Sequence, residues 1–180
     1  MAERFFRRPN LHVGLAGTSQ PIDEDRSNLS LYFTIMNTGK NTARNVRAVV
    51  ITGERAKTPL PAFEKLLWFY PDSDEKHAEV DLPYLGIGNA ILLSGVLQTK
   101  KEADHQEYSL NGRFLAKVRR EPERITDVNL LLYGADGVEK VYWMWLLATG
   151  DLAKPFTSEV IPQGRLRFLR LLTRKFHKQV

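Results

Sequence analysis

A period of two dominates this chain. Leu29, Leu31, Phe33 and Ile35 alternate with Ser30, Tyr32, Thr34 and Met36. Alternation of this kind puts one row of side chains in a core and the other toward water, and aromatic and β-branched residues favour it. The segment closes at Asn37-Thr38-Gly39-Lys40-Asn41, a run of turn formers. A second strand is expected from Ala43 to Thr52 and a short earlier one from Leu11 to Leu15.

Two hairpins have their turns written in the sequence. Tyr108-Ser109-Leu110 meets Asn111-Gly112 and then Arg113 to Val118. Asn-Gly accepts the positive φ angles of a type I′ turn. Asp127 to Tyr133 leads through Gly134-Ala135-Asp136-Gly137 into Val138 to Leu147. Further strands are expected from Ala90 to Gln98, after a Gly86-Ile87-Gly88 bend, and from Ala78 to Leu85. Ala62 to Tyr70 fits a short helical turn or a strand.

The period changes only near the C-terminus. Leu166, Leu169, Leu172 and Phe176 share one side of a helical wheel, with Arg167, Arg170, Arg174 and Lys178 opposite. The expected organisation is a basic arm (1–9), a β domain (10–150), a linker (151–164, holding Pro155, Pro162 and Gly164) and a basic amphipathic helix (165–180). Seven or more strands with short turns indicate an all-β antiparallel sandwich with a C-terminal helix, and a closed barrel is the alternative. A chain of 180 residues can bury a real core.

The junction Phe33-Thr34-Ile35-Met36-Asn37-Thr38-Gly39, followed by Ala43-Arg44-Asn45-Val46, resembles the "N-x-G, then A-x-N-V" junction of CARDB-type immunoglobulin-like domains, a cell-adhesion-related family of bacteria and archaea. The resemblance implies an immunoglobulin-like sandwich over residues 10–148. It does not carry a function with it.

The charge is unevenly placed. The net charge is +5, yet residues 1–8 and 164–180 hold nine of the 26 basic residues and one of the 21 acidic ones, which leaves the body near −3. Attraction to an anionic membrane surface or to nucleic acid therefore falls to the termini, with Arg167, Arg170, Arg174 and Lys178 as the anion-binding residues. Arg4-Phe5-Phe6-Arg7-Arg8 interleaves aromatic and basic residues, as single-strand binders do, but the favoured reading is a solvated arm whose two phenylalanines tuck into the body. No apolar run of 7–15 residues follows the basic start, so no secretory signal is expected and the location expected is cytoplasmic. The longest apolar run, Val141 to Ala148, is too short to span a membrane as a helix.

Catalytic chemistry finds little support. There are no cysteines, which removes disulfides, thiolate metal sites and cysteine nucleophiles. His12, His77, His105 and His177 form no metal-binding pair. The acidic run Asp72 to Asp81 lacks the glycine and terminal glutamate of an EF-hand loop. Gly86-Ile87-Gly88 has Ile91 where a dinucleotide fingerprint needs its third glycine. The expectation is a non-enzymatic protein with no cofactor and no metal.

One feature exceeds what a simple sandwich needs. Val141-Tyr142-Trp143-Met144-Trp145-Leu146-Leu147 is apolar at both parities, and Leu130, Leu131, Leu132, Tyr133, Val49, Val50 and Ile51 repeat this on two further strands. We expect Trp143 and Trp145 to enter the core and Tyr142, Met144 and Leu146 to point out, and the three strands to be neighbours in one sheet. Antiparallel sheets usually leave one face polar, and a large apolar patch is rarely left in water. Its cover would be the chain's own terminal helix, a second copy (a homo-oligomer) or another protein partner. The expected contact residues are Tyr142, Met144 and Leu146 with Leu169, Leu172 and Phe176, in an interaction or scaffold module.

Overall fold

The computed structural model describes residues 8–52, 63–70, 73–135, 137 and 139–162. In chain order its strands are β1 (Leu11–Pro21), β2 (Arg26–Asn37), β3 (Ala43–Thr52), β4 (Phe63–Leu66), β5 (Trp68–Phe69), β6 (Lys76–His77), β7 (Val80–Leu82), β8 (Ile87–Lys101), β9 (Gln106–Leu110), β10 (Arg113–Val118), β11 (Glu123–Tyr133), β12 (Glu139–Ala148) and β13 (Phe156–Pro162). They form two antiparallel sheets. The first runs β1-β2-β8-β5-β6, with the β9–β10 hairpin attached to the far half of β8. The second runs β13-β12-β11-β3-β4, with β7 also pairing β3. The chain is an all-β two-sheet sandwich, and β3, β11 and β12 are neighbours in one sheet, as expected.

Inward rows of both sheets meet in one core. Leu29, Leu31, Phe33 and Ile35 of β2 face Val46, Ala48 and Val50 of β3, with Val128, Leu130 and Leu132 of β11 and Met144 and Leu146 of β12. Each of these side chains other than Ala48 contributes about 1.5–3 kcal/mol of transfer free energy. The turns follow their sequence chemistry. Asn111 and Gly112 both have positive φ (50° and 77°), as a type I′ turn requires.

The Asn37 junction has a clear physical role. Its side chain is fully buried, and Oδ1 accepts from the backbone N–H of Asn10 (3.0 Å) and Gly39 (2.9 Å). Its Nδ2 donates to the carbonyls of Asn41 and Leu82, both at 2.8 Å. One amide therefore serves four backbone groups, from the residue before β1, the β2–β3 loop and β7. A β-carbon at Gly39 would collide with the Arg8 carbonyl and the Asn10 nitrogen, so this position needs glycine. Asn45, at φ 49°, sits in an irregularity between Ala43 and Val46, where asparagine tolerates the left-handed conformation.

Several expectations need correction. Tyr142, Met144 and Leu146 do not point outward. Met144 and Leu146 are each 1% exposed, and Tyr142 packs on the same core with its hydroxyl bonded to the Leu11 carbonyl. Register decides this, not side-chain size: Val128 lies opposite Met144 and Leu130 opposite Tyr142, and directly paired residues share a face. Trp143 and Trp145 take the outer row. Residues 151–164 are not wholly a linker, because β13 lies within them. Its β-branched run is flanked by Pro155 and ends at Pro162, on an edge where missing N–H groups are tolerated. β1 extends to Pro21 rather than stopping at Leu15, since its glycines are held by an eleven-residue register with β2. The 62–70 segment resolves into β4 and β5 over its described part. The expected terminal helix, with Arg167, Leu169, Arg170, Leu172, Arg174, Phe176 and Lys178, lies outside the described residues, as do positions 1–7 of the basic arm.

Candidate interaction surface

The outer face of the second sheet is assembled by register. One cross-strand row reads Lys65, Val49, Leu131, Val141; the next reads Ile51, Asn129, Trp143. Val49 and Ile51 form a second apolar cluster, separate from the main core, with Leu131, Tyr133 and Val141 packed on it. They are only 3% and 1% exposed, whereas Leu131, Tyr133, Val141, Trp143 and Trp145 are half-buried. The β3 side of this face is therefore closed within a single chain, and the strip along β11 and β12 stays partly open.

The strip has its own order. The Trp143 and Trp145 rings lie 4.7 Å apart at 56°, within the range of favourable aromatic pairs. The Arg124 guanidinium stacks over the Trp145 ring, a cation–π contact that leaves a positive charge at the rim. At the opposite corner Arg47 bonds Glu79 at 2.7 Å. The Glu79 carboxyl is held below its ordinary range, first by Arg47 and then by Asn45. In the middle sits Asn129, 4% exposed, its side-chain oxygen without a hydrogen-bond partner among the described residues. A buried amide oxygen left unpaired is costly.

Elsewhere the chemistry-bearing residues are occupied with structure. Asp81 accepts from the Asn45 backbone and Glu79 from Asn45 and Arg47, so part of the acidic run braces β3. His105 bridges Asp104 (2.5 Å) and Glu107 (3.2 Å) in the bend between β8 and β9. His77 lies 3.8 Å from Glu75. Among the described residues no group of three or more histidine or acidic side chains is placed to hold a metal ion, and no helix is long and apolar enough to cross a membrane.

Sequence reasoning missed Val141, Trp143, Trp145 and Asn129 as the outward row. The signal for it was the pairing of β11 with β12. Leu131 and Tyr133 stand out as the outer row of β11, and their direct partners are Val141 and Glu139.

The fold and this surface define an all-β sandwich with one sheet apolar on both sides. No model of a known protein family matches the chain, and no curated protein or solved structure does so either.

Proposed function

We propose that this protein is a non-enzymatic assembly module of immunoglobulin-like topology, and that the open strip of the second sheet is its contact surface. A single observation carries the reading. Val141, Trp143 and Trp145 form a half-buried apolar row on a face whose inner side is already a complete core. Aromatic anchors around a desolvated centre are the usual energetic heart of protein interfaces.

The strand order supports the finer fold. β1-β2-β8 and β12-β11-β3 run in the order of strands A-B-E and G-F-C of an immunoglobulin sandwich. The β9–β10 hairpin is then an insertion before the strand in the F position. The Asn37–Val46 junction supports a CARDB-type resemblance on the same residues. The occupant we propose is a second copy, or another protein with a comparable face. The terminal segment, through Leu169, Leu172 and Phe176, adds apolar contacts to the same assembly.

Light scattering on the full chain tests this against the double variant Val141→Glu, Trp143→Glu. The full chain should exceed the mass of one copy in a concentration-dependent way, and the variant should not. Equal single-copy masses for both would remove self-assembly. A second reading, attachment to an anionic membrane or nucleic acid through Arg167, Arg170, Arg174 and Lys178, is favoured by the concentration of basic residues at the ends. Vesicles with acidic lipids, or DNA, titrated across a salt series would test it, because charge-driven binding weakens steeply with salt.

A further inference from the structure

We infer that the free edge of β1 is a docking site for an extended peptide, which would add a strand to the first sheet. This deepens the assembly reading and rests on it, but uses a different surface. Hydrogen-bond parity fixes which backbone groups of β1 are unpaired. Thr38 N–H donates to the Asn10 carbonyl, and Ile22 N–H to the Arg26 carbonyl, both at 2.8 Å. Both pairs continue the β1–β2 register. In an antiparallel ladder bonded pairs recur every second residue. Even-numbered residues of β1 therefore bond β2, and the N–H and C=O groups of Val13, Leu15, Gly17 and Ser19 point away from it.

Tyr142 closes the first outward carbonyl, that of Leu11. Past that point β1 pairs only with β2 among the described residues. Proteins commonly protect such edges with charges, prolines, bulges or short length. β1 has eleven residues, no charged side chain and no bulge, and its only proline is the last residue. It lacks each of these protections over the stretch that is free.

The chemistry of the occupant follows from what lies beside the edge. A groove of about 230 Å³ separates β1 from the start of β13, lined by Leu15, Gly17, Leu29, Leu31, Pro155 and Phe156. Leu29, Leu31 and Phe156 belong to the main core. A strand pairing with β1 would turn alternate side chains toward this groove. The fitting ligand is thus an extended segment of about seven residues, roughly 20 Å, with apolar residues at every second position. A second copy's β1 fits less well. Its inward residues Val13 and Leu15 already pack on their own core, so pairing of two such edges would leave the groove unfilled.

The test uses the isotope-labelled full chain and the peptide Lys-Thr-Val-Thr-Leu-Thr-Val-Thr-Lys. A peptide of equal composition with its apolar residues clustered serves as comparison. The alternating peptide should shift the amide signals of Val13, Leu15, Gly17 and Ser19 and slow their hydrogen exchange at least tenfold at saturation. Ser19→Pro removes one outward N–H, as Pro21 already does at the same parity, and should weaken binding at least tenfold with the fold retained. If that variant fails to fold, the exchange measurement on the unaltered chain still decides. Equal binding of the clustered peptide, shifts confined to the β11–β12 face, or no shift at millimolar peptide would overturn the site. A dimer dissolved by Ser19→Pro without peptide binding would overturn it in favour of a second copy. Loss of the β1 result with assembly through Trp143 intact would sink this site alone.

Discussion

The outward row of β2 and the outward rows of β11 and β12 come from the same alternation and end in opposite chemistry. Ser30, Tyr32 and Thr34 put hydroxyl groups beside Met36 on the first, with Thr34 bonded to Asn89, while Leu131, Val141, Trp143 and Trp145 offer only hydrocarbon and rings on the second. The inner rows of both sheets are equally apolar. A sandwich needs only one apolar face per sheet, so the outer face of β2 is explained by the fold and that of β11–β12 is not. The excess is what points to contact outside the core.

The sharpest contrast lies between adjacent residues. Leu130 is fully buried in the main core, and Leu131 is half-buried on the outer face. Leu130→Ala should cost about 2–5 kcal/mol in urea unfolding, and Leu131→Ala about 1 kcal/mol. Equal losses would mean that both faces are core and would break the distinction.

Tyr108 sharpens the first sheet's side of the comparison. It is fully buried, and burial pushes its phenol up to about 12. The unfolded chain ionises near pH 10, so stability is complete below that value and falls as pH rises toward the folded value. The loss should reach roughly 2–3 kcal/mol by about pH 12. Tyr108→Phe should lose less stability over the same interval. An unchanged alkaline profile in that variant would assign the loss to other groups, beginning with Tyr142, whose phenol burial also raises.

Asn37→Ala should cost about 1–3 kcal/mol, because backbone groups of Asn10, Gly39, Asn41 and Leu82 lose their shared partner. Asn37→Asp should be nearly as damaging, since it replaces both amide donations to carbonyls. Near-native unfolding midpoints for both would show that the junction does not tie the sheets.

The smallest effect belongs to the exposed Arg47–Glu79 pair. Glu79 titrates below its ordinary range, so its stabilising share is present above about pH 4.5 and fades as pH falls through the lowered value. Salt should weaken it. Glu79→Gln should flatten that acid limb slightly and leave assembly unchanged.

Most of the sandwich was legible because strands with one polar side announce their facing. β2 and β3 read directly, and the Asn111-Gly112 turn fixed a hairpin locally. The facing of β12 was not legible, because Val141 to Leu147 is apolar at both parities and no single-strand pattern separates them. Pairing with β11 does, and that is a long-range property. β13 hid behind its two prolines, which read as a linker until an edge position makes them harmless. The outward Trp143 row was missed for the same reason: large aromatics suit a core or an interface equally well.

The most direct measurement is the mass of the full chain in solution from low to high micromolar concentration, beside Val141→Glu, Trp143→Glu. The mass should climb above the 20.6 kDa of one copy and return to it in the folded variant. A mass of 20.6 kDa for both at every concentration would contradict the proposed role of the outer face in self-assembly.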